Sequence, residues 1–168
     1  MHKIDFNIRE MEKTDFENYF KLKYEFCEYH LEYEEQSPSI VIDIKIPESD
    51  EEKKIFVRRF GKVAKNKAKF LVAESEGKIV GFIFGFLEDV ERTGNIFLYI
   101  DEFYLVEDFR SKGIGKALEK GITDWALENE VYWSGLHVLI SNDNSVKAYE
   151  NMGYNPQSYF MAKKINED

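Results

Sequence analysis

The spacing of hydrophobic and polar positions changes period several times along the chain, and each change marks an element. Residues 6–11, FNIREM, alternate and predict a strand. Thr14 and Glu17 stand at capping-box spacing, and the helical period behind them runs to about Tyr33. Residues 34–47 are less regular and read as an inserted loop. Ser49 and Glu52 repeat the capping spacing and predict a second helix, to about Ala64. KFLVAES predicts a strand, EGK at 76–78 a turn, and IVGFIFGFL at 79–87 its hairpin partner, apolar enough for burial on both faces. Residues 94–106, GNIFLYIDEFYLV, predict a long strand. Ile114, Leu118, Ile122 and Trp125 then form one helical stripe, to about Glu130. GLHVLI predicts a further strand, NSVKAYENMG a short helix stopped by Gly153, and SYFMAKKI a closing strand.

The order β-α-α-β-β-β-α-β-α-β predicts an α/β fold. Its sheet is mixed and mostly antiparallel, with a parallel central pair around the long helix and helices on both faces. A chain of 168 residues has the usual length of one domain, so 1–168 is expected to fold as a unit.

Composition then narrows the partners. A net charge of −9 argues against nucleic-acid binding, which depends on basic surface. The single cysteine, Cys27, cannot form an intramolecular disulfide or a Cys-rich zinc site, and fits a reducing compartment. The first ten residues hold no apolar signal core. The run at 79–87 is far short of the roughly 20 apolar residues that cross a bilayer. A cytoplasmic protein with no membrane partner is expected.

FRSKGIGKALEKG, from Phe109 to Gly121, is the stretch that asks for chemistry. A dinucleotide fingerprint needs a third glycine where Leu118 stands, and a Walker loop needs four residues between its glycines, where here there is one. A tight turn feeding a helix is the plain alternative. Yet a long strand precedes Gly113 and Gly115, and a helix starts there. The first N–H groups of a helix lack partners and its dipole is positive at that end, so an anion can settle on them.

The spacing Leu105-x4-Arg110-x2-Gly113-x-Gly115 resembles the acyl-CoA pyrophosphate loop of the GNAT superfamily of N-acetyltransferases. Downstream, LHVLISNDNSVKAYENMGY resembles the same family's strand-loop-helix through Asn142, Ser145, Ala148–Tyr149 and Gly153–Tyr154. The specific matches lie between Ile100 and Tyr154. The N-terminal half fits by element order. The resemblance implies a GNAT fold and acetyl-CoA as co-substrate, without a metal.

It also implies roles. Arg110, Ser111, Lys112, Gly113, Ile114, Gly115 and Lys116 would form the coenzyme loop, with N–H groups from Lys112 to Lys116 on the pyrophosphate. Phe103, Tyr104 and Leu105 would pair with the pantetheine arm, a backbone N–H near Leu105 polarising the acetyl carbonyl. Asn142 would bond the pantetheine, and Ser145 would lie near the coenzyme. Tyr149 is the family's usual acid on the thiol side, although a phenol near pKa 10 gives a proton to a thiolate near 8.5 only uphill, by about 2 kcal/mol.

The implied reaction is direct attack of an amine on a thioester. An alkyl amine near pKa 10.4 is almost wholly protonated at pH 7, and freeing its lone pair costs about 4.6 kcal/mol. A carboxylate can bind the ammonium and take its proton. Asp101 and Glu102 both stand near the end of the long strand. Alternation puts them on opposite faces, Asp101 with Phe103 and Leu105. Asp101 matches the commoner family position. A structural salt bridge or edge charge is the alternative for either.

Other residues attract weaker readings. Cys27 and His30 lack a third group for a covalent acyl-enzyme and read as a half-buried thiol and a surface histidine. His137, on a predicted strand, reads as structural, and three scattered histidines make no metal site. RRFGKVAKNKAK, residues 58–69, reads as a solvated helix face, the alternative being contact with the coenzyme's 3′-phosphate. YEFCEYHLEYEEQ on the first helix is acidic and aromatic. Glu28 and Glu32 there would suit a cationic acceptor such as a polyamine, against the plainer reading of a solvated acidic face. The expected activity is N-acetyl transfer to a primary amine of a small molecule or peptide. The alternative is a non-catalytic acyl-CoA-binding or regulatory module on the same fold. Relatives are often homodimers, and no feature of this chain decides that.

Overall fold

A computed structural model describes residues 4–34, 48–90, 94–158 and 161. Strands β1 (Asn7–Glu10), β2 (Ala68–Ser75), β3 (Lys78–Val90), β4 (Asn95–Leu105) and β5 (Ser134–Leu136) form one sheet in that spatial order. The first three pairings are antiparallel and β4–β5 is parallel. Helices α1 (Phe16–Glu34) and α2 (Ser49–Val63) come before β2, α3 (Ile114–Glu128) links the parallel pair, and α4 (Asp143–Glu150) follows β5.

Strand alternation divides the apolar residues between two faces. Leu71, Ala73, Ile83 and Leu98 pack with Ile114, Leu118, Ile122 and Trp125, the stripe predicted for α3. Phe70, Val72, Phe82 and Phe84 pack on the opposite face with Tyr19 and Leu22 of α1 and Phe56 of α2. Thus β3 is buried on both sides, as its near-continuous apolar run requires. Among the described residues no helix is long and apolar enough to cross a membrane.

The helix starts differ from the capping predictions. A 3-10 turn at Lys13–Asp15 precedes α1, and it is Asp15 that accepts the Glu12 N–H at 2.7 Å, while Arg9 grips the same carboxylate at 2.7 Å. At α2, Ser49 is already helical, Glu48 occupies the cap without a side-chain bond, and Glu52 is buried in the interior. The predicted closing strand falls on 158–165. Of these only Ser158 and Met161 are described, neither in a strand, and the rest lie outside the described residues, as do 35–47 of the predicted loop.

One irregularity organises the rest. In the β3–β4 pairing, Phe84 is opposite Glu102 and Gly85 is opposite Ile100, so Asp101 is an extra, bulged residue. Gly85 permits the close approach: a Cβ there would stand 2.9 Å from the Tyr99 carbonyl oxygen and 2.9 Å from Ile122 Cδ1. The bulge reverses the parity of β4. Leu98 and Ile100 pack toward α3 before it, and Phe103 and Leu105 do so after it. The β4–β5 ladder also ends here, at Ile100 opposite Leu136. That is why the strand predicted at 135–140 is only three residues long. Beyond the bulge, β4 no longer has β5 beside it.

Candidate active site

The bulge overturns the expectation that Asp101 and Glu102 face opposite ways. Both carboxylates reach Arg59 of α2. Asp101 Oδ2 accepts from Nη2 at 3.1 Å, and Glu102 accepts from both guanidinium nitrogens, at 2.7 and 2.6 Å. Their environments differ sharply. The Glu102 side chain is 7% exposed, and Lys23 of α1 also donates to it. Burial by itself would raise the Glu102 carboxyl, but Arg59 and Lys23 carry it down to about 2. The Asp101 side chain is 38% exposed. Burial and the neighbouring Glu102 charge raise its carboxyl above the ordinary range, against Arg59 and Lys23.

Sequence reasoning missed the network beneath this pair. The single Tyr19 hydroxyl proton is directed at Glu52, 2.7 Å away, with Glu102 at 3.2 Å, and its oxygen accepts from Arg59 at 2.7 Å. Arg59 therefore departs from the solvated face expected of residues 58–69. The available signal was positional. Glu52, Phe56 and Arg59 recur at helical spacing on the buried stripe of α2. Charges inside an apolar stripe call for partners.

The end of β4 presents backbone rather than side chains. Tyr104 carbonyl oxygen lies 2.7 Å from where a Gly81 Cβ would be, and Val106 N–H donates to Val80 of β3. Tyr104 therefore faces β3. Alternation turns the backbone groups of Phe103 and Leu105 to the side that β5 has left. The Leu105 carbonyl oxygen is taken by Arg110 Nε at 2.9 Å. The Arg110 guanidinium lies over the rings of Tyr29, at 4.8 Å, and Tyr104, at 5.9 Å. Its fork thus braces the loop against β4 and α1.

The glycine loop follows. Ser111 and Gly113 adopt positive φ, 59° and 86°, which turns the chain into α3. Among the described residues, the N–H groups of Ser111, Lys112, Gly113, Ile114, Gly115 and Lys116 donate to no backbone carbonyl; the first helical bond there is Ala117 N–H to Gly113. A Cβ on Gly115 would touch Phe103 and Met152 at 3.6 Å.

The end of α4 lies beside the same stretch of β4 and the glycine loop, through Tyr149 against Phe103 and, just past the helix, Met152 near Gly115. Asn142 is 2% exposed and caps α4 by accepting the Ser145 N–H at 3.0 Å; its Oδ1 also accepts from Tyr29 at 3.3 Å. Its amide Nδ2 donates to no group among the described residues, a buried donor left open. Tyr149 is half-buried, with its ring 6.2 Å from Phe103 and 5.9 Å from Tyr154. Burial, reinforced by Tyr154 and Tyr29, pushes its hydroxyl well above the usual phenol range. Tyr29, not foreseen from the sequence, joins α1 to both Arg110 and Asn142.

Glu28 is exposed on α1, and the Glu32 side chain lies outside the described residues. Neighbouring Glu25 accepts from the Tyr104 hydroxyl at 3.1 Å. Cys27 is buried rather than half-buried, and burial raises its thiol. His30 is half-buried rather than on the surface. Its Nδ1 bonds the Phe26 carbonyl oxygen at 2.9 Å, and burial lowers its pKa. His137 lies past the end of β5 and is exposed, its Nδ1 2.9 Å from the Tyr99 hydroxyl. Among the described residues no group of His, Cys, Asp and Glu is arranged to hold a metal ion.

Solved structures share this architecture. An aminoglycoside acetyltransferase from an uncultured soil metagenomic sample, crystallised with sisomicin, matches 96% of this chain and 97% of its own at TM-score 0.67 and 16% identity. Ribosomal-protein-alanine N-acetyltransferase from Brucella melitensis biovar Abortus 2308 matches 96% of this chain and 100% of its own at TM-score 0.69 and 20% identity. AAC(6′)-Iy, solved with the bisubstrate analogue CoA-S-monomethyl-acetylneamine, matches 95% of this chain and 99% of its own at TM-score 0.66 and 16% identity. At these identities the likeness is one of fold. The sequence model of the acetyltransferase (GNAT) family matches residues 8–154, covering every described strand and helix except the first residue of β1, and so the chain belongs to the GNAT family of acetyltransferases.

Proposed function

We propose that this acetyltransferase moves the acetyl group of acetyl-CoA directly to a primary amine of a cationic small molecule, with Asp101 as proton acceptor. The observation that carries the reading is the bulge. The β4–β5 ladder ends at it, which leaves the Leu105 N–H without a β5 partner among the described residues, and it holds a half-exposed carboxylate four positions earlier on the same strand.

The residues present fit the coenzyme. The run of open N–H groups from Ser111 to Lys116 at the start of α3 suits a pyrophosphate. The outward groups of Phe103 and Leu105 and the open Asn142 amide suit the two amides of a pantetheine arm. Bound acetyl-CoA supplies a thioester: the amine nitrogen forms the new C–N bond and the C–S bond breaks. Asp101 takes one of the three ammonium protons, through its free oxygen or one water, which releases the lone pair. Leu105 N–H donates to the carbonyl oxygen as it gains negative charge. The second proton ends on sulfur, the third stays on the amide, and the proton on Asp101 passes to solvent. Tyr149, a weaker acid in this site than a free phenol, serves as a hydrogen-bond donor to the departing sulfur.

Glu102 does not fit the role of base. Both its oxygens are engaged, and a carboxyl held near 2 gains nothing by accepting a proton at neutral pH. A cationic acceptor accords with the chain's net charge of −9 and with Glu28 and Glu32 on α1. The structural neighbours named for aminoglycosides act on cationic amines too, whereas the ribosomal-protein neighbour does not restrict the acceptor to small molecules.

The test is CoA-thiol release from acetyl-CoA with spermidine, spermine, aminoglycosides, free amino acids and short peptides, each against a no-amine blank. Selective stimulation by polycations supports the reading. Selective stimulation by peptides replaces its acceptor. Coenzyme binding without transfer to any amine removes the catalytic assignment of Asp101.

A further inference from the structure

The candidate base rests on a support that no family motif assigns. Arg59 stands 42 positions before Asp101, on α2, and its side chain is 9% exposed. Its guanidinium is engaged along both edges. It meets Glu102 through two bonds of 2.7 and 2.6 Å, Tyr19 through one of 2.7 Å, and Asp101 Oδ2 through one of 3.1 Å. The Phe84 ring lies against it, 4.5 Å from the ring centroid to Cζ. Among the described residues, Arg59 is the one side chain that hydrogen-bonds Asp101.

We propose that Arg59, clamped by Glu102, is the positioning residue for Asp101, fixing Oδ2 so that Oδ1 faces the acceptor amine. The proposal rests on the reading of Asp101 as base. A two-bond arginine–carboxylate pair is a planar fork that fixes the rotation of both groups. Glu102 supplies that pair from the same strand, one residue beyond the bulge. Glu52 and Tyr19 hold the guanidinium from α2 and α1. Arg59 has no freedom left, and the carboxylate it touches inherits its position. Without Arg59, Asp101 keeps two rotatable bonds and a like charge next to it. Lysine is no equal substitute, because an ammonium cannot span Glu102 and Asp101 in one plane.

The charged groups around Asp101 set the sign of the test. They are Glu102 and Tyr99 on β4, Arg59 on α2, Lys23 on α1 and, through Tyr99, Glu88 on β3. Arg59 lowers the Asp101 carboxyl and Glu102 raises it. Removing Arg59 leaves the Glu102 charge compensated by Lys23 alone, so Asp101 keeps its proton to higher pH.

The experiment follows the Asp101 carboxyl by ¹³C NMR titration, assigned by its loss in D101N. It also records the pH profile of kcat/KM with the most active amine of the panel, together with thermal melting and acetyl-CoA affinity. In Arg59→Gln the Asp101 titration and the acid limb move up by about one pH unit, and kcat falls about 10- to 100-fold with coenzyme affinity retained. Arg59→Lys keeps the limb nearer its original pH yet stays slow. Arg59→Gln with Glu102→Gln makes a neutral pair that recovers melting temperature but not rate. A double variant with both native melting and native rate overturns the proposal, because the network would then be structural alone. So does an unmoved titration in Arg59→Gln. If D101N itself keeps a wild-type acid limb, Asp101 is not the base, and the positioning role falls with it. If D101N loses the limb and Arg59→Gln does not shift it, only the positioning role fails.

Discussion

The two sides of the candidate site are built from different materials. On the proposed coenzyme side, Ser111 to Lys116 offer backbone N–H groups from a single turn, shaped by positive φ at Ser111 and Gly113. On the proposed acceptor side, Arg59 of α2 bonds Asp101 and is itself bonded by Glu102 of β4 and Tyr19 of α1, two residues 83 positions apart. A diphosphate is the same in every reaction of this type, and a short loop of peptide donors suffices for it. An amine must be bound, oriented and deprotonated, which needs charges placed against one another. The coenzyme side should therefore respond to changes in backbone conformation, and the acceptor side to changes in charge.

The strongest way to break this comparison is at Asp101. Asp101→Asn keeps shape and removes the proton acceptor. The expected loss in kcat/KM is about 10²- to 10³-fold, with disappearance of the acid limb and unchanged acetyl-CoA affinity. Weaker coenzyme binding in this variant would mean that the two sides are not separate. The buried partner predicts a stability effect of comparable size. Glu102 titrates at about 2 in the folded chain against an ordinary 4.5, a difference of about 3 kcal/mol. Because its folded pKa is depressed, that stabilisation is present in full above about 4.5 and is lost as pH falls toward 2. Denaturant melts between pH 6 and 2.5 should show this slope, and Glu102→Gln should flatten it.

The same division explains what could be read in advance. The loop proposed for the coenzyme was legible because its pattern is local: Leu105, Arg110, Gly113 and Gly115 are close in sequence, and the turn into α3 follows them directly. Asn142 stands out in the sequence only through its match to the family pattern; that it caps α4 is seen in the structure alone. The α3 stripe and the doubly buried β3 followed from periodicity alone. The bulge at Asp101 was not visible, since strand alternation carries no mark for an extra residue. Gly85, the residue that admits it, sits on the neighbouring strand. One inserted residue reversed the facing of Asp101 and cut short the strand expected after Gly135. The Arg59 cluster was hidden differently. Glu52 looked like a capping residue and Arg59 like part of a basic surface run. Only packing shows that α2 turns both inward to meet Glu102.

Smaller effects sharpen the contrast on the coenzyme side. Tyr149→Phe keeps the ring against Phe103 and Tyr154 and removes the hydroxyl. With saturating acetyl-CoA, kcat should fall about tenfold while coenzyme affinity stays within about twofold. An unchanged kcat would leave Tyr149 as packing only. Gly113→Ala should do the reverse. A Cβ there has open space, so crowding is not the problem; φ of 86° is. The strain, about 1 kcal/mol, should weaken acetyl-CoA binding about fivefold and leave kcat near wild type. A fall in kcat without a change in affinity would contradict the assignment of the loop to the coenzyme.

The smallest expected effect concerns how the acceptor is gathered. Glu28 is exposed on α1, and among the described residues no hydrogen bond or ion pair holds its side chain. Its contribution, if the acceptor is a polycation, is a screened attraction rather than a formed bond. Glu28→Gln should then raise KM for spermidine about twofold at low ionic strength, with kcat unchanged, and the difference should vanish near 0.5 M salt. Asp101→Asn would behave oppositely, since a half-buried base loses its chemistry at every salt concentration. Salt dependence thus separates charge that attracts the amine from charge that takes its proton. A Glu28→Gln enzyme with wild-type KM at low salt would return that side chain to the solvated face of α1 and leave acceptor recognition to the groups around the bulge.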